Sequence, residues 1–530
     1  MSWLGNCMVR PEASWVTTAR LAATSASSIR ISTDLRAPSM SLSSFKRSAL
    51  GLFGGLALAL GSGALQADSR LPMVVLDSAD QQGQLSEQRA RLEAATAVPE
   101  LAFRAPAGRA EVSLLTMYSA QQGSWPFEPF VHNGLFRAIA GYQNQHPRAV
   151  VIRGGSISLQ QLHAQLSNER ILSRHEGGYL LHYPLMIDPD AALLIEGTQL
   201  HLHSYSGTAL INRGLLSLRQ ASLIGYSDGR PHATDRPYRP FLMNWAGSRL
   251  RIEDSQLERL GYNEHLSRGV TSARSTQQAA NVAPVQMLIS DSRFEDMSVG
   301  LDLTQALARV TGNHFSDMQQ YALDASDSRL LVKGNRIEDV RNISAIRVSG
   351  RSQGRLENNR IFRASKSAIE LNALDGNLIV RDNQIGASAG YGLLLRDMTP
   401  ATGLLIEDNL IGNSRLSAID GAGLHQASII GNRIIGTPEY AISIRNSEAG
   451  SGPLRLTGNH LERVGKAMIR VQGMHNLVLG ANDYRANPVQ QNLLIGDLLP
   501  FQAPLLDMTL RQGRLVELEL ERVSLLPTEG

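Results

Sequence analysis

Cysteine is almost absent from this 530-residue chain: Cys7 stands alone, so a disulfide scaffold and a thiolate metal cluster are both excluded. Aromatic residues make up only 5%, against 47 glycines, which argues against a bundle of large helices and suits thin, turn-rich layers of β-structure. Lysine is nearly missing too, four residues against 47 arginines, and the formal net charge is only +3. Residues 1–67 alone carry +4, from Arg10, Arg20, Arg30, Arg36, Lys46 and Arg47 against Glu12 and Asp34. The rest of the chain is therefore close to neutral, and nucleic acid is not an expected partner. No glycine-rich phosphate loop, Gly-x-Ser-x-Gly elbow or Asp-x-Asp calcium loop occurs, so no cofactor and no metal is expected.

What is present begins with an export signal. Lys46-Arg47 precedes an apolar run to Leu60, and small residues follow to Ala67. That is the order of a signal peptide, too short and glycine-rich for a membrane span, so the mature chain is expected without one. Residues 1–67 read as an N-terminal extension and signal peptide, with Met40 as an alternative start. Residues 68–170 read as a small mixed α/β domain. Gln84 to Ala95 has an amphipathic pattern, and Ser158 with Gln161 forms a capping box before Leu159, Leu162 and Leu166.

From 175 to 528 one unit repeats. Short apolar runs end at Ser292, Asn313, Asn335, Asn359, Asn383, Asn409, Asn432 and Asn459, at spacings of 21, 22, 24, 24, 26, 23 and 27. A second apolar segment recurs in each period, as in Gly300-Leu-Asp-Leu303, Ala322-Leu-Asp-Ala325 and Ala345-Ile-Arg-Val348. A period in the low twenties without helix-length segments or leucine-rich spacing predicts an all-β, right-handed parallel β-helix, its asparagines stacked at a corner. The 37-residue gap from Ser255 to Ser292 predicts a protruding loop within Tyr262 to Pro284.

Strand residues alternate between core and surface, so each outward position recurs one coil higher as a track. One track reads Asp302, Asp324, Arg347, Glu370, Leu394, Asp420 and Ser443. The other reads Thr304, Ser326, Ser349, Asn372, Arg396, Ala422 and Arg445. Carboxylates interleaved with arginine can bind a linear acidic sugar polymer, and equally are what any solvated β-face carries. His201 and His203 lack a third ligand at metal spacing and read as surface histidines. His314 is an alternative base beside the Asn313 corner.

The stretches Arg239-Pro-Phe-Leu-Met-Asn-Trp-Ala-Gly-Ser248, Gln256-Leu-Glu-Arg-Leu-Gly-Tyr262, Asp291-Ser-Arg-Phe-Glu-Asp-Met297 and Val516 to Thr528 resemble the periplasmic alginate (mannuronan) C5-epimerases. The resemblance implies a right-handed β-helix in the periplasm acting on exported polymannuronate, with other exopolysaccharide-secretion proteins as partners. That reaction removes H5 of a uronate and returns a proton on the other face, so it needs a base, a cation at the carboxylate and a proton donor. The family motif Tyr-Gly-Ile-Asp-Pro-His-Asp falls on Tyr321-Ala-Leu-Asp324-Ala-Ser326-Asp327, which places Tyr321, Asp324, Ser326 and Asp327 at the catalytic positions. Serine replaces the basic histidine, and Gly350 stands where the family has arginine, with Arg347 and Arg351 nearby. Loss of a positioned base removes roughly 10²–10⁴-fold of rate, so turnover by the family's mechanism is not expected. Asp302, Arg347, Arg351, Glu370, Asn372 and Arg396 are the expected polymer contacts. Three readings stand open: an epimerase or lyase with a rearranged site, a non-catalytic polysaccharide-binding scaffold, and a surface β-helix adhesin.

Overall fold

The computed structural model describes residues 73–120, 123–229, 238–262, 266–487 and 490–520. The expected signal peptide, Met40, Cys7 and the end of the tail lie outside the described residues. The described residues all belong to one compact unit.

Three strand columns wind this unit into a right-handed parallel β-helix. In the coil of Tyr321 they are Leu323–Ser326, Arg329–Lys333 and Arg336–Val340, and the next coil repeats them as Ile346–Gly350, Gln353–Glu357 and Arg360–Ala364. Each strand pairs in parallel with its equivalent one coil on, about 4.8 Å away. The third column runs as a sheet of 14 strands among the described residues. Parallel coil strands begin at Arg148–Arg153, which pairs with Leu185–Ile187.

Alternation fills the core. In the first column Leu301, Leu323, Ile346, Ile369, Leu393, Ile419, Ile442 and Ile469 stack in one file and are almost wholly buried. Each contributes roughly 1.5–3 kcal/mol of burial free energy. Chain direction changes at corners where residues adopt left-handed φ, such as Asp291, Gly312, Gly334, Asn358, Asp382 and Asp408. Glycine adopts such angles freely, and Asp and Asn tolerate them best among the rest. Just after this corner the asparagine ladder closes: each Nδ2 from Asn313 to Asn459 donates to the Oδ1 of the next asparagine at 2.9–3.1 Å, ending at Asn482.

The expected loop within Tyr262 to Pro284 is corrected in part: Gly269–Ala273 is a first-column strand pairing with Leu242–Trp245 below and Val299–Thr304 above. Only the segment after Ala273 departs from the coil. His201 and His203 are also corrected. They are buried rather than at the surface, packed with His175, His182 and Tyr226 on the third column.

Two coverings hide parts of the solenoid surface. In the early coils the outer side of the first column is apolar, and Met186, Ile211, Met243 and Trp245 are buried beneath Phe127, Phe130, Ile139 and Phe241. The helix Ser78–Ala95 straps the second column. Its Leu92 packs on Ile379 and Leu405, while Arg89 pairs with Glu407 at 2.8 Å and Glu93 with Arg381 at 2.9 Å. The first column's outer face beyond Ala273 is polar and uncovered by either. Among the described residues no helix is long and apolar enough to cross a membrane.

Candidate functional site

The strand registers bring both outward series into line. Asp302, Asp324, Arg347, Glu370, Leu394, Asp420 and Ser443 pair in sequence, as do Thr304, Ser326, Ser349, Asn372 and Arg396. Aspartate directly above aspartate is unfavourable unless a cation intervenes. Arg268, just before the Gly269–Ala273 strand, is that cation. Its Nη1 lies 2.9 Å from Asp324 Oδ2 and 3.4 Å from Asp302 Oδ1, and its Nη2 donates to Gln320 Oε1 at 3.1 Å.

Arg347 closes on Asp324 from the other side through two bonds, Nε to Oδ1 at 2.7 Å and Nη2 to Oδ2 at 2.6 Å. The Tyr321 ring lies beneath both guanidiniums, 4.5 Å from that of Arg347 and 5.8 Å from that of Arg268. Tyr321, Asp324, Arg347, Arg268 and Asp302 thus form one cluster, with Asp324 almost wholly buried at its centre.

The electrostatics follow from burial. Burial pushes the Asp302 carboxyl up to about 6, Arg268 opposes the shift, and the charge of Asp324 adds to it. Burial likewise raises the Tyr321 phenol against the pull of Arg347, so it stays protonated near neutrality with a proton to give. For Arg347 burial works against the charge, but the hydrogen bonds and charge of Asp324 outweigh it and hold the guanidinium above its ordinary value.

The other expected residues lie around this cluster. Ser326 bonds Thr304 Oγ1 at 3.2 Å, and among the described residues no imidazole or carboxylate is hydrogen-bonded to its side chain. Asp327 sits at the corner after the strand and accepts from the Arg351 backbone N–H at 2.9 Å. Arg351 is mostly exposed and reaches Asp327 rather than Tyr321. With Arg274 and Arg329 it borders an open hollow of about 740 Å³. Glu370 is held by Ser344 and by Lys366 at 3.0 Å. Arg396 lies further along, paired with Asp420 at 2.6 Å, and Asn372 sits directly beneath it. His314 opens a third-column strand and faces Glu338, so it is not part of the cluster. Among the described residues no group of three His, Cys, Asp or Glu side chains could hold a metal ion.

Sequence reasoning missed Arg268 and Gln320. Arg268 belongs to the coil read as a loop, whose strand Gly269-Val-Thr-Ser-Ala273 lacks the Ala-Ile-x pattern of its neighbours.

Fold and site together define a right-handed parallel β-helix bearing a mixed acidic and basic track along one open face. Residues 266–401 match the family model described as right handed beta helix region. The chain is 28% identical over 271 residues to the mannuronan C5-epimerase of Pseudomonas aeruginosa, covering 48% of each chain. It is 30% identical over 220 residues to mannuronan C5-epimerase AlgG of Azotobacter vinelandii, covering 39% of this chain and 42% of that one. The chain spans about half the length of the curated relatives it matches. A crystal structure of the periplasmic alginate epimerase AlgG superposes with a TM-score of 0.54 at 18% identity, over 75% of this chain and 98% of that one. A variant of that epimerase gives 0.61, over 74% and 94%. The chain is therefore similar to the mannuronan C5-epimerases as a divergent relative.

Proposed function

We propose that this protein binds an acidic polysaccharide of the mannuronan type along the open face of the first column, in the periplasm, and acts on it as a C5-epimerase-type isomerase. The observation that carries the reading is the cluster of Tyr321, Asp324, Arg347 and Arg268 on the polar track, at the segment where the resemblance to the epimerases puts their chemistry. The names of the relatives support the substrate class, and the word periplasmic in the structural neighbours' names supports the compartment.

The chemistry asked of the site can be assigned. Arg347 and Arg268 supply positive charge for a uronate carboxylate. Tyr321, kept protonated by burial, is the proton donor. Ser326 cannot take a carbon-bound proton, so the base is Asp302, the carboxyl whose burial brings its pKa near the working range. Further along the track, Tyr391 beside Arg396 and Tyr440 beside Lys466 and Arg470 repeat the pairing of an aromatic ring with a cation and extend the polymer path.

A second reading has its own observation. Arg347 is doubly bonded to Asp324, which leaves less of its guanidinium for substrate and favours binding without turnover. Incubation of the protein with polymannuronate in deuterated water, read by NMR at C5, separates the two. Label that disappears in Asp302→Asn supports the isomerase, whereas unlabelled polymer that still binds supports a non-catalytic scaffold. Arg347→Gln should weaken polymer binding roughly 10- to 150-fold, given ~1.5–3 kcal/mol for a charged hydrogen bond. Equal affinities would remove the polymer from this face.

A further inference from the structure

A second, smaller cavity of about 240 Å³ lies on the same side of the solenoid, in its first coils. Its polar wall is a ladder of three residues from successive coils. Asp188 Oδ2 accepts from Arg153 Nε at 2.9 Å, and Asp188 Oδ1 accepts from Arg213 Nη1 at 3.2 Å. Trp125 lines the cavity with its indole 5.3 Å from the Arg213 guanidinium, and Met117 and Met186 complete the apolar side. Trp245 backs Trp125 at 5.0 Å and donates its own N–H to the Pro126 carbonyl at 2.9 Å, so the indole platform is fixed from behind.

Here two arginines share one aspartate, which leaves a surplus positive charge in the wall of a cavity. Each guanidinium has five N–H donors, of which Asp188 takes one. Burial pulls the Arg213 pKa down even with Asp188 beside it, so an anion entering the cavity would relieve a real desolvation cost. The volume is below the ~300–1,000 Å³ of sites for drug-sized ligands, which limits the occupant to a single ring. A guanidinium pair beside an indole face suits a ring that carries a carboxylate.

We infer that this cavity binds one carboxylated sugar ring, a uronate unit, with its carboxylate on Arg213 and Arg153 and its ring against Trp125. That the ring is a sugar rests on the polyuronate reading above, whereas recognition of an anion beside an aromatic face does not. The cavity lies three coils from Asp302, roughly 14 Å along the axis at ~4.8 Å per coil, so it is separate from the Tyr321 cluster.

The test uses the full chain, monomeric mannuronate as probe and mannose as the uncharged control, followed by calorimetry and tryptophan emission. Mannuronate should give saturable heat and an emission change that Trp125→Phe abolishes, and mannose should give neither. Arg213→Gln should weaken binding at least tenfold, while Arg363→Gln, on a third-column strand, leaves it unchanged. If Arg213→Gln does not fold, Arg153→Gln, at a half-exposed side chain, carries the same expectation. Absence of mannuronate binding, equal binding of mannose, or binding lost in Arg347→Gln but kept in Arg213→Gln would overturn the inference. Monomer bound here by a chain that fails to bind polymannuronate would overturn the polymer reading and leave this site standing.

Discussion

At Gly350 the backbone φ is +61°, and a β-carbon there would sit 2.7 Å from Asp327 Oδ1. A side chain at this position, where the resemblance implies an arginine, would have to displace the Asp327 carboxylate, and the positive charge beside Asp324 comes from Arg347 and Arg268 instead. Gly350→Arg should lower stability by about 1–2 kcal/mol through its left-handed backbone alone, read as a drop in melting temperature. A variant as stable as the parent would show that the corner relaxes. Asp302 makes a pH-dependent prediction at the same scale. Its folded pKa of about 6 lies above the ordinary carboxylate value, so the folded chain holds this proton more tightly than the unfolded one. The resulting stability is fully present below about pH 4 and is lost as pH rises through 6, on the order of 2–3 kcal/mol in total. Denaturant titrations from pH 4 to 7 should show that decline in the parent and its absence in Asp302→Asn.

Among elements, the asparagine ladder is where repetition becomes energy. Asn383 accepts from the backbone and side chain of Asn359 and donates to the Leu356 carbonyl and to Asn409, so all its polar groups are satisfied inside the protein. Asn383→Ala leaves buried donors and a carbonyl unpaired, at ~1–3 kcal/mol each. Asn482 closes the ladder: its Nδ2 donates to the Leu456 carbonyl, and among the described residues no further asparagine accepts from it. Chemical denaturation should therefore find Asn383→Ala more destabilising than Asn482→Ala, and equal losses would mean that the rungs do not cooperate. The ladder was legible because one amide must recur at each corner, which imposes the spacing of 21 to 27 residues. Strand alternation was legible for the same reason, and it gave the outward tracks their order. Arg268 was not legible, because its strand lacks the repeated pattern and its partners lie 34 and 56 residues away.

Across the whole compact unit, stability in a solenoid is a sum over neighbouring coils, so its ends decide where it frays. Strand Met73–Leu76 pairs antiparallel with Leu515–Glu519, which pairs in turn with Ala467–Gly480. The first described strand thus closes the last coils, and the helix that follows it runs back along the second column. Val75→Pro removes a backbone donor from that clamp. Hydrogen exchange should then quicken in residues 467–519 and stay unchanged around 300–350, because coils that far apart share no contacts. Faster exchange throughout would mean that the strap, rather than coil stacking, carries the stability.

The sequence by itself determined the coil period, the inward and outward assignment of each strand residue and the corner asparagines, because these follow from local alternation repeated many times. Only the tertiary structure decided which polar groups became partners. Asp302 and Asp324 stack because two strands 22 residues apart fall into register, and Arg268 arrives between them from another coil. The degree to which neighbouring chain covers each group then sets its charge state. That is why Asp302 holds its proton toward neutrality, and why two arginines share one aspartate beside Trp125.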